Sequence, residues 1–219
     1  MNLKILSLVI IGVCILLPDV CYAFLEKDVH LLNMQNGLAD NTVSAVYKDK
    51  EGFVWFGTRN GLSRYDGRQI TNFEQSNSYP SISNLKEVFD GVLAFVDNGV
   101  FSAFDLKKER FLSVVSSSEK RIPSWGMLQK NDSLVWVISG SELHLMKRCA
   151  SKEGELRLRV QEKYTGWDNQ DNLLVAITYS SDKKSICLID EKGRIILLDA
   201  TNLNSFRVID LGRTLSLIH

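Results

Sequence analysis

The chain has 219 residues, 45% of them apolar and 24% charged, and its 26 Lys plus Arg balance 26 Asp plus Glu. That balance excludes an intrinsically disordered chain, which pairs low hydrophobicity with high net charge. It also leaves no global basic excess for a nucleic-acid-binding surface.

The first element in chain order is a leader. Met1-Asn2-Leu3-Lys4 supplies a positive start, and an apolar run follows from Ile5 to Leu17. The run suits the core of a signal peptide and falls short of the roughly 20 residues of a membrane span. Pro18 ends it, and Cys21-Tyr22-Ala23 places small residues where a signal peptidase reads them. Residues 1–23 are therefore expected to be a signal peptide cut after Ala23. An uncleaved anchor helix and lipid attachment at Cys21 are the rival readings, and Asp19 and Val20 fit the second poorly. Export permits a disulfide between Cys149 and Cys187, the two cysteines left after cleavage, and whether they pair stays open. Cys187 sits in the run Ile186-Cys187-Leu188-Ile189 and suits a buried small hydrophobe.

Residues 24–35 read as a lone strand before the first complete repeat. Val43–Tyr47, Phe53–Phe56, Leu62–Tyr65 and Ile70–Phe73 then read as four short strands, each rich in β-branched or aromatic residues. Asp49-Lys50-Glu51-Gly52, Asn60-Gly61 and Asp66-Gly67 supply the turns between them. This is a four-stranded antiparallel meander. The pattern recurs: Gly52 to Gly91 and Asp66 to Asp105 are each about 40 residues apart. Trp136 precedes Leu143 at the same interval as Trp55 precedes Leu62, and Ile186–Ile189 with Asp199 suggests a further copy. The repeats fall at 36–75, about 80–115, about 120–150 and about 165–205. Four strands per unit at this period predict an all-β β-propeller of about four blades. Phe53-Val54-Trp55-Phe56 does not alternate apolar with polar. A strand apolar on both sides must be covered on both faces, as a blade is by its two neighbours, whereas a β-sandwich strand would alternate.

Little in the sequence points to catalysis. His30, His144 and His219 show no metal-ligand spacing, and His144 is expected exposed or half-buried on its strand. Asp49, Asp66, Asp105, Asp190 and Asp199 fall at strand ends, where Asx turns explain them. No nucleophile elbow, P-loop or dinucleotide motif occurs. Neither a cofactor nor a metal is expected. Trp55 and Trp136 sit in apolar strands and are expected in blade cores. Trp125 and Trp167 lie in turn-rich segments and Arg59 at a hairpin tip, so these three are the candidate ligand contacts.

Residues 36–67 then carry a resemblance. Gly37, Leu38, Asn41, Val43, Val46, Asp49, Gly52, Trp55, Gly57, Thr58, Gly61, Leu62, Tyr65 and Asp66 occupy the places of the pattern GLSxNxVxxIxxDxxGxxWxGTxxGLxxYD. The segment closely resembles the two-component regulator propeller repeat, while the later copies lack the Trp-x-Gly-Thr signature. The resemblance implies the periplasmic sensor region of a hybrid two-component system of the kind found chiefly in gut Bacteroidetes. Such proteins place two propellers, a Y-Y-Y domain, a membrane helix anchored in the inner membrane, a histidine kinase, a receiver and a DNA-binding domain after the signal peptide. It implies an oligosaccharide ligand, a homodimer at full length, and no nucleic-acid contact or enzyme activity by this segment. The expectation is a segment cut within a blade, an open arc lacking the kinase and output domains. A secreted propeller enzyme acting on polysaccharide, or a non-functional truncated remnant, is the alternative.

Overall fold

The structure, a computed structural model, describes residues 31–74, 81–116, 121–167 and 172–210. The expected signal peptide, most of the expected lone strand at 24–35, His30, His219 and the apolar run at 215–218 lie outside these residues. The described strands all belong to the unit Asn33–His219. They form four meanders, termed blades 1 to 4. Blade 1 holds β1 (Val43–Lys48), β2 (Val54–Thr58), β3 (Gly61–Tyr65) and β4 (Ile70–Phe73). Blade 2 holds β5 (Ile82–Phe89), β6 (Val92–Asp97), β7 (Val100–Asp105) and β8 (Arg110–Ser116). Blade 3 holds β9 (Gly126–Asn131), β10 (Leu134–Ser139), β11 (Glu142–Cys149) and β12 (Glu155–Tyr164). Blade 4 holds β13 (Leu174–Tyr179), β14 (Ser185–Asp190), β15 (Ile195–Asp199) and β16 (Phe206–Ile209).

Within each blade the pairing is antiparallel in sequence order. The first strands adjoin one another, β1 beside β5, β5 beside β9 and β9 beside β13, so they form the inner wall. Blades 2 and 3 are also joined at their outer strands. Residues 113–116 of β8 pair in parallel with 155–158 of β12, making one eight-stranded sheet. β12 falls between the third and fourth repeats read from the sequence.

Three hydrophobic clusters fill the spaces between successive blades, and the pleat assigns residues to them. Side chains alternate sides along a strand. On β6, Leu93 and Phe95 join Trp55 and Leu62 of blade 1, whereas Val92, Ala94 and Val96 join Val135 and Val137 of blade 3. On β10, Trp136 and Ile138 turn the other way, to Ile186, Leu188 and Ile196 of blade 4. All six residues of β6 are buried for this reason. Trp55 and Trp136 are each 1% exposed, and truncating a side chain so buried costs about 3–5 kcal/mol.

The expected turns form, with one refinement. At Asn98-Gly99 both φ angles are positive, 48° and 78°, as a type I′ hairpin requires. At Asn60-Gly61 only Gly61 is in the left-handed region, with φ 112°. His144 differs from expectation. It is buried, because its Nε2 lies 2.6 Å from Glu142 Oε2 and gains a partner inside the sheet. Cys149 and Cys187 are free thiols, both half-buried, so Cys187 is less enclosed than expected, and its partial burial pushes the thiol up from its ordinary pKa.

Candidate ligand-binding surfaces

Antiparallel order gives each blade two distinct ends. The turn between its second and third strands shares one end with the connection from the previous blade. The turns between strands one and two, and three and four, share the other.

Arg59, Trp125 and Trp167 all stand at the first end. Arg59 is exposed in the turn from β2 to β3. Trp125 immediately precedes β9, and Trp167 follows β12. Among the described residues no hydrogen bond, ring contact or cation–π contact joins Arg59 to either tryptophan. Trp167 is 9% exposed; its indole N–H donates to the Ser141 carbonyl at 3.0 Å and its ring meets Phe206 edge-on. Trp125 is 50% exposed.

A crevice of about 470 Å³ opens at the second end, between blades 1 and 2. Phe53, Trp55 and Leu106 give it apolar surface, and charged side chains from three turns and from strands β3 and β5 wall it. Most of those charges pair across the two blades. Arg64 bonds Glu109 at 2.5 Å, and Lys50 bonds Glu87 at 3.2 Å. Lys50 also reaches Asp90 at 3.9 Å, and Asp90 bonds Lys107 within blade 2 at 3.4 Å. The Arg64 guanidinium also lies 4.8 Å from the Phe53 ring centre. The Glu87 hydrogen bond, then its charge, raises the Lys50 ammonium above its ordinary pKa. Burial, and then the Glu87 charge, raises the Tyr47 phenol. This web ties blade 1 to blade 2 and holds no nucleophile poised beside a base. Sequence reading missed the crevice because its lining comes from four separate segments. The runs of charge at 49–51 and 105–110 were its only trace.

The repeat residues have structural roles. Asp49 accepts the N–H groups of Glu51 and Phe53 through Oδ1 and the Trp55 indole N–H through Oδ2 at 2.8 Å. Gly52, with φ 96°, completes that turn. Thr58 Oγ1 donates to the Gly61 carbonyl and accepts from the Asn60 N–H. Tyr65 donates its hydroxyl proton to the Gly67 carbonyl. Asp66 accepts from the N–H groups of Arg68 and Gln69, which hold its carboxyl below the ordinary range. Asn41 Oδ1 accepts from Met34 N–H, Gly37 takes the left-handed position after the short 3-10 turn Met34–Asn36, and Leu38 and Leu62 are buried. Asp105 and Asp199 repeat the Asp66 turn in blades 2 and 4. Among the described residues no helix is long and apolar enough to cross a membrane, and no group of His, Cys, Asp and Glu is gathered to hold a metal.

Residues 37–60 match the family model described as two component regulator propeller. No curated protein matches the sequence. The fold is similar to the extracellular domain of a Bacteroides thetaiotaomicron protein, BT4673, described as a one-component system. The TM-score is 0.62 at 14% identity, covering 84% of this chain and 27% of that one. It is also similar to virginiamycin B lyase from Staphylococcus aureus, with TM-score 0.56 and 13% identity over 80% of this chain and 57% of that one. A third similar structure is the β-propeller domain of Cps50 (Swd1) from Myceliophteria thermophila, with TM-score 0.52 and 15% identity over 76% of this chain and 55% of that one. The chain thus spans about a quarter of the first of these structures. It is an all-β chain of propeller blades whose first blade is built on a two component regulator propeller repeat.

Proposed function

We propose that this chain is a ligand-sensing propeller segment of a two-component sensor, exported by its leader to the periplasm. It binds an oligosaccharide and does not turn it over. The observation that supports this most is the regulator-propeller match at residues 37–60, inside a blade whose motif Asp49, Trp55 and Thr58 side chains serve the fold. A repeat spent on scaffold leaves recognition to the loops at the blade ends. The end with Arg59, Trp125 and Trp167 is the binding end in this reading. Kinase and output steps, and the homodimer that would transmit the signal, belong to a longer protein. Signalling then requires that the ligand bind two states of that receptor unequally.

An enzyme acting on polysaccharide is the second reading, since the propeller fold also carries catalysis in a lyase of another substrate, virginiamycin B. It has less support, because the His144–Glu142 pair is built into β11 and neither residue lines the crevice. One experiment separates the two. The purified chain is heated with a panel of oligosaccharides while product release is followed. A ligand at about a hundred times its Kd should raise Tm by roughly 5–10 °C with no new products. Cleaved or eliminated products would establish the enzyme, and no shift with any sugar would remove the oligosaccharide reading.

A further inference from the structure

We infer that Trp125 is a stacking platform for a pyranose ring, an exposed indole on a clamped backbone that anchors a neutral oligosaccharide. This rests on the oligosaccharide reading above and deepens it.

Of the four tryptophans, Trp55, Trp136 and Trp167 are buried, whereas Trp125 is half exposed. Among the described residues its indole N–H donates to nothing and its ring meets no other aromatic ring. An exposed indole is ordinarily mobile, but here the backbone is fixed on both sides. The Trp125 N–H donates to the Ile138 carbonyl at 3.1 Å, and its carbonyl accepts from Asn84 Nδ2 at 2.9 Å. The residues leading into it are held as well. Pro123 bridges Val100, Ser124 N–H donates to the Gly99 carbonyl at 2.8 Å, and Phe101 N–H donates to the Ile122 carbonyl at 2.9 Å. The approach segment is thereby stapled along the β6–β7 hairpin of blade 2.

The clamp has a backbone cost. Asn84 interrupts β5 where the register with β6 shifts, and it takes a left-handed φ of 52°. Such strain persists only where surrounding contacts over-determine it. The Asn84 side chain spans from blade 2 to the entry of blade 3 to make the bond. Gly126, next in sequence, leaves that crossing open: a Cβ there would stand 3.3 Å from Ile138 Cδ1 and 3.4 Å from Ile177 Cγ2, and 3.9 Å from Asn84 Oδ1. The fold therefore fixes the backbone that carries a half-exposed indole.

The chemistry of the spot selects the ligand. The indole offers an electron-rich face suited to the C–H groups of a sugar ring, and a free N–H for a hydroxyl. The Asn84 amide beside it is polar and uncharged. With the backbone already clamped, only the side chain's own rotamers remain to be ordered on binding.

The test uses the whole purified chain with neutral gluco-, xylo- and galacto-oligosaccharides. Binding is measured by calorimetry, and acrylamide quenching reports on the exposed indole. The expected result is binding by at least one series, shielding of the indole from acrylamide, and a loss of about tenfold or more in Trp125→Ala at unchanged Tm. Trp125→Phe, which keeps a ring face and loses the N–H, should fall between. If sugars bind and Trp125→Ala binds them equally, the platform is wrong while the sensor reading stands. If no neutral sugar binds the unaltered chain, the platform and the oligosaccharide reading both fall.

Discussion

At the residue scale, the repeat's small and charged residues have separable jobs. Gly57 marks a close approach of blade 1 to blade 2: a Cβ there would stand 2.6 Å from Ile82 Cγ2, and Ile82 is fully buried. Gly57→Ala should therefore destabilise the chain by about 1–3 kcal/mol through overpacking. The penalty should shrink in an Ile82→Ala background, where the opposing methyl is gone. A double-mutant cycle in urea measures that coupling, and strict additivity would contradict the contact. Glu142 gives a prediction in pH. The hydrogen bond with His144, then Lys163, holds its carboxyl below the ordinary value of 4.5. The folded chain thus binds that proton more weakly than the unfolded chain does. The stabilisation is complete above the ordinary value and fades as pH falls through the lowered one. Glu142→Gln should flatten the loss of stability below about pH 5 and leave little slope difference near neutrality. A flattening near neutrality instead would show that another group carries the effect. The carboxylate is partly open to solvent, so the effect is modest.

At the scale of elements, the strands of blade 1 were legible because each is a short β-branched and aromatic run closed by Gly, Asn or Asp. Turn chemistry is local, and local signals survive in sequence. The pairing of β8 with β12 was not legible. It depends on Lys108 and Arg110 reaching Glu153 across the blades, at 2.7 Å and 3.0 Å, and on Ser113 N–H reaching the Gly154 carbonyl at 2.9 Å. None of those residues is near its partner in the chain. The same blindness hid the crevice between blades 1 and 2, whose Arg64–Glu109 bond joins two different repeats. The outer edges of blades 2 and 3 are thus covered by each other, whereas among the described residues β4 and β16 end their sheets. Edge amides without partners exchange with water readily. Hydrogen exchange should show the β8 and β12 amides that face the shared edge protected well above those on the open edges of β4 and β16. Equal exchange at all four edges would contradict the joined sheet. Glu153→Ala should lower the protection of β8 and β12 together.

At the scale of the molecule, the inner strands' lack of apolar–polar alternation already implied cover on both faces. The structure supplies it as three clusters between four blades, each fed by one side of a pleated strand. What sequence could not supply was which side faces which neighbour, since that follows from register. Trp125 shows the same limit: its turn-rich setting was visible, but its clamp comes from Asn84, a blade away. The clusters make the chain a quasi-linear stack in which each blade depends on its immediate neighbours. Trp55 serves the junction of blades 1 and 2, and Trp136 that of blades 3 and 4. Each Trp→Ala change should cost about 3–5 kcal/mol, and the two should add closely because they share no cluster. The consequence in space is sharper than the consequence in total stability. In Trp136→Ala, exchange should quicken first in β13, β14 and β15, which lose their partner face. The amides of β1, β2 and β3 should keep their protection until global unfolding. In Trp55→Ala the order should reverse. Uniform quickening of every strand in either variant would mean that the four blades unfold as one unit, and the nearest-neighbour description would fail.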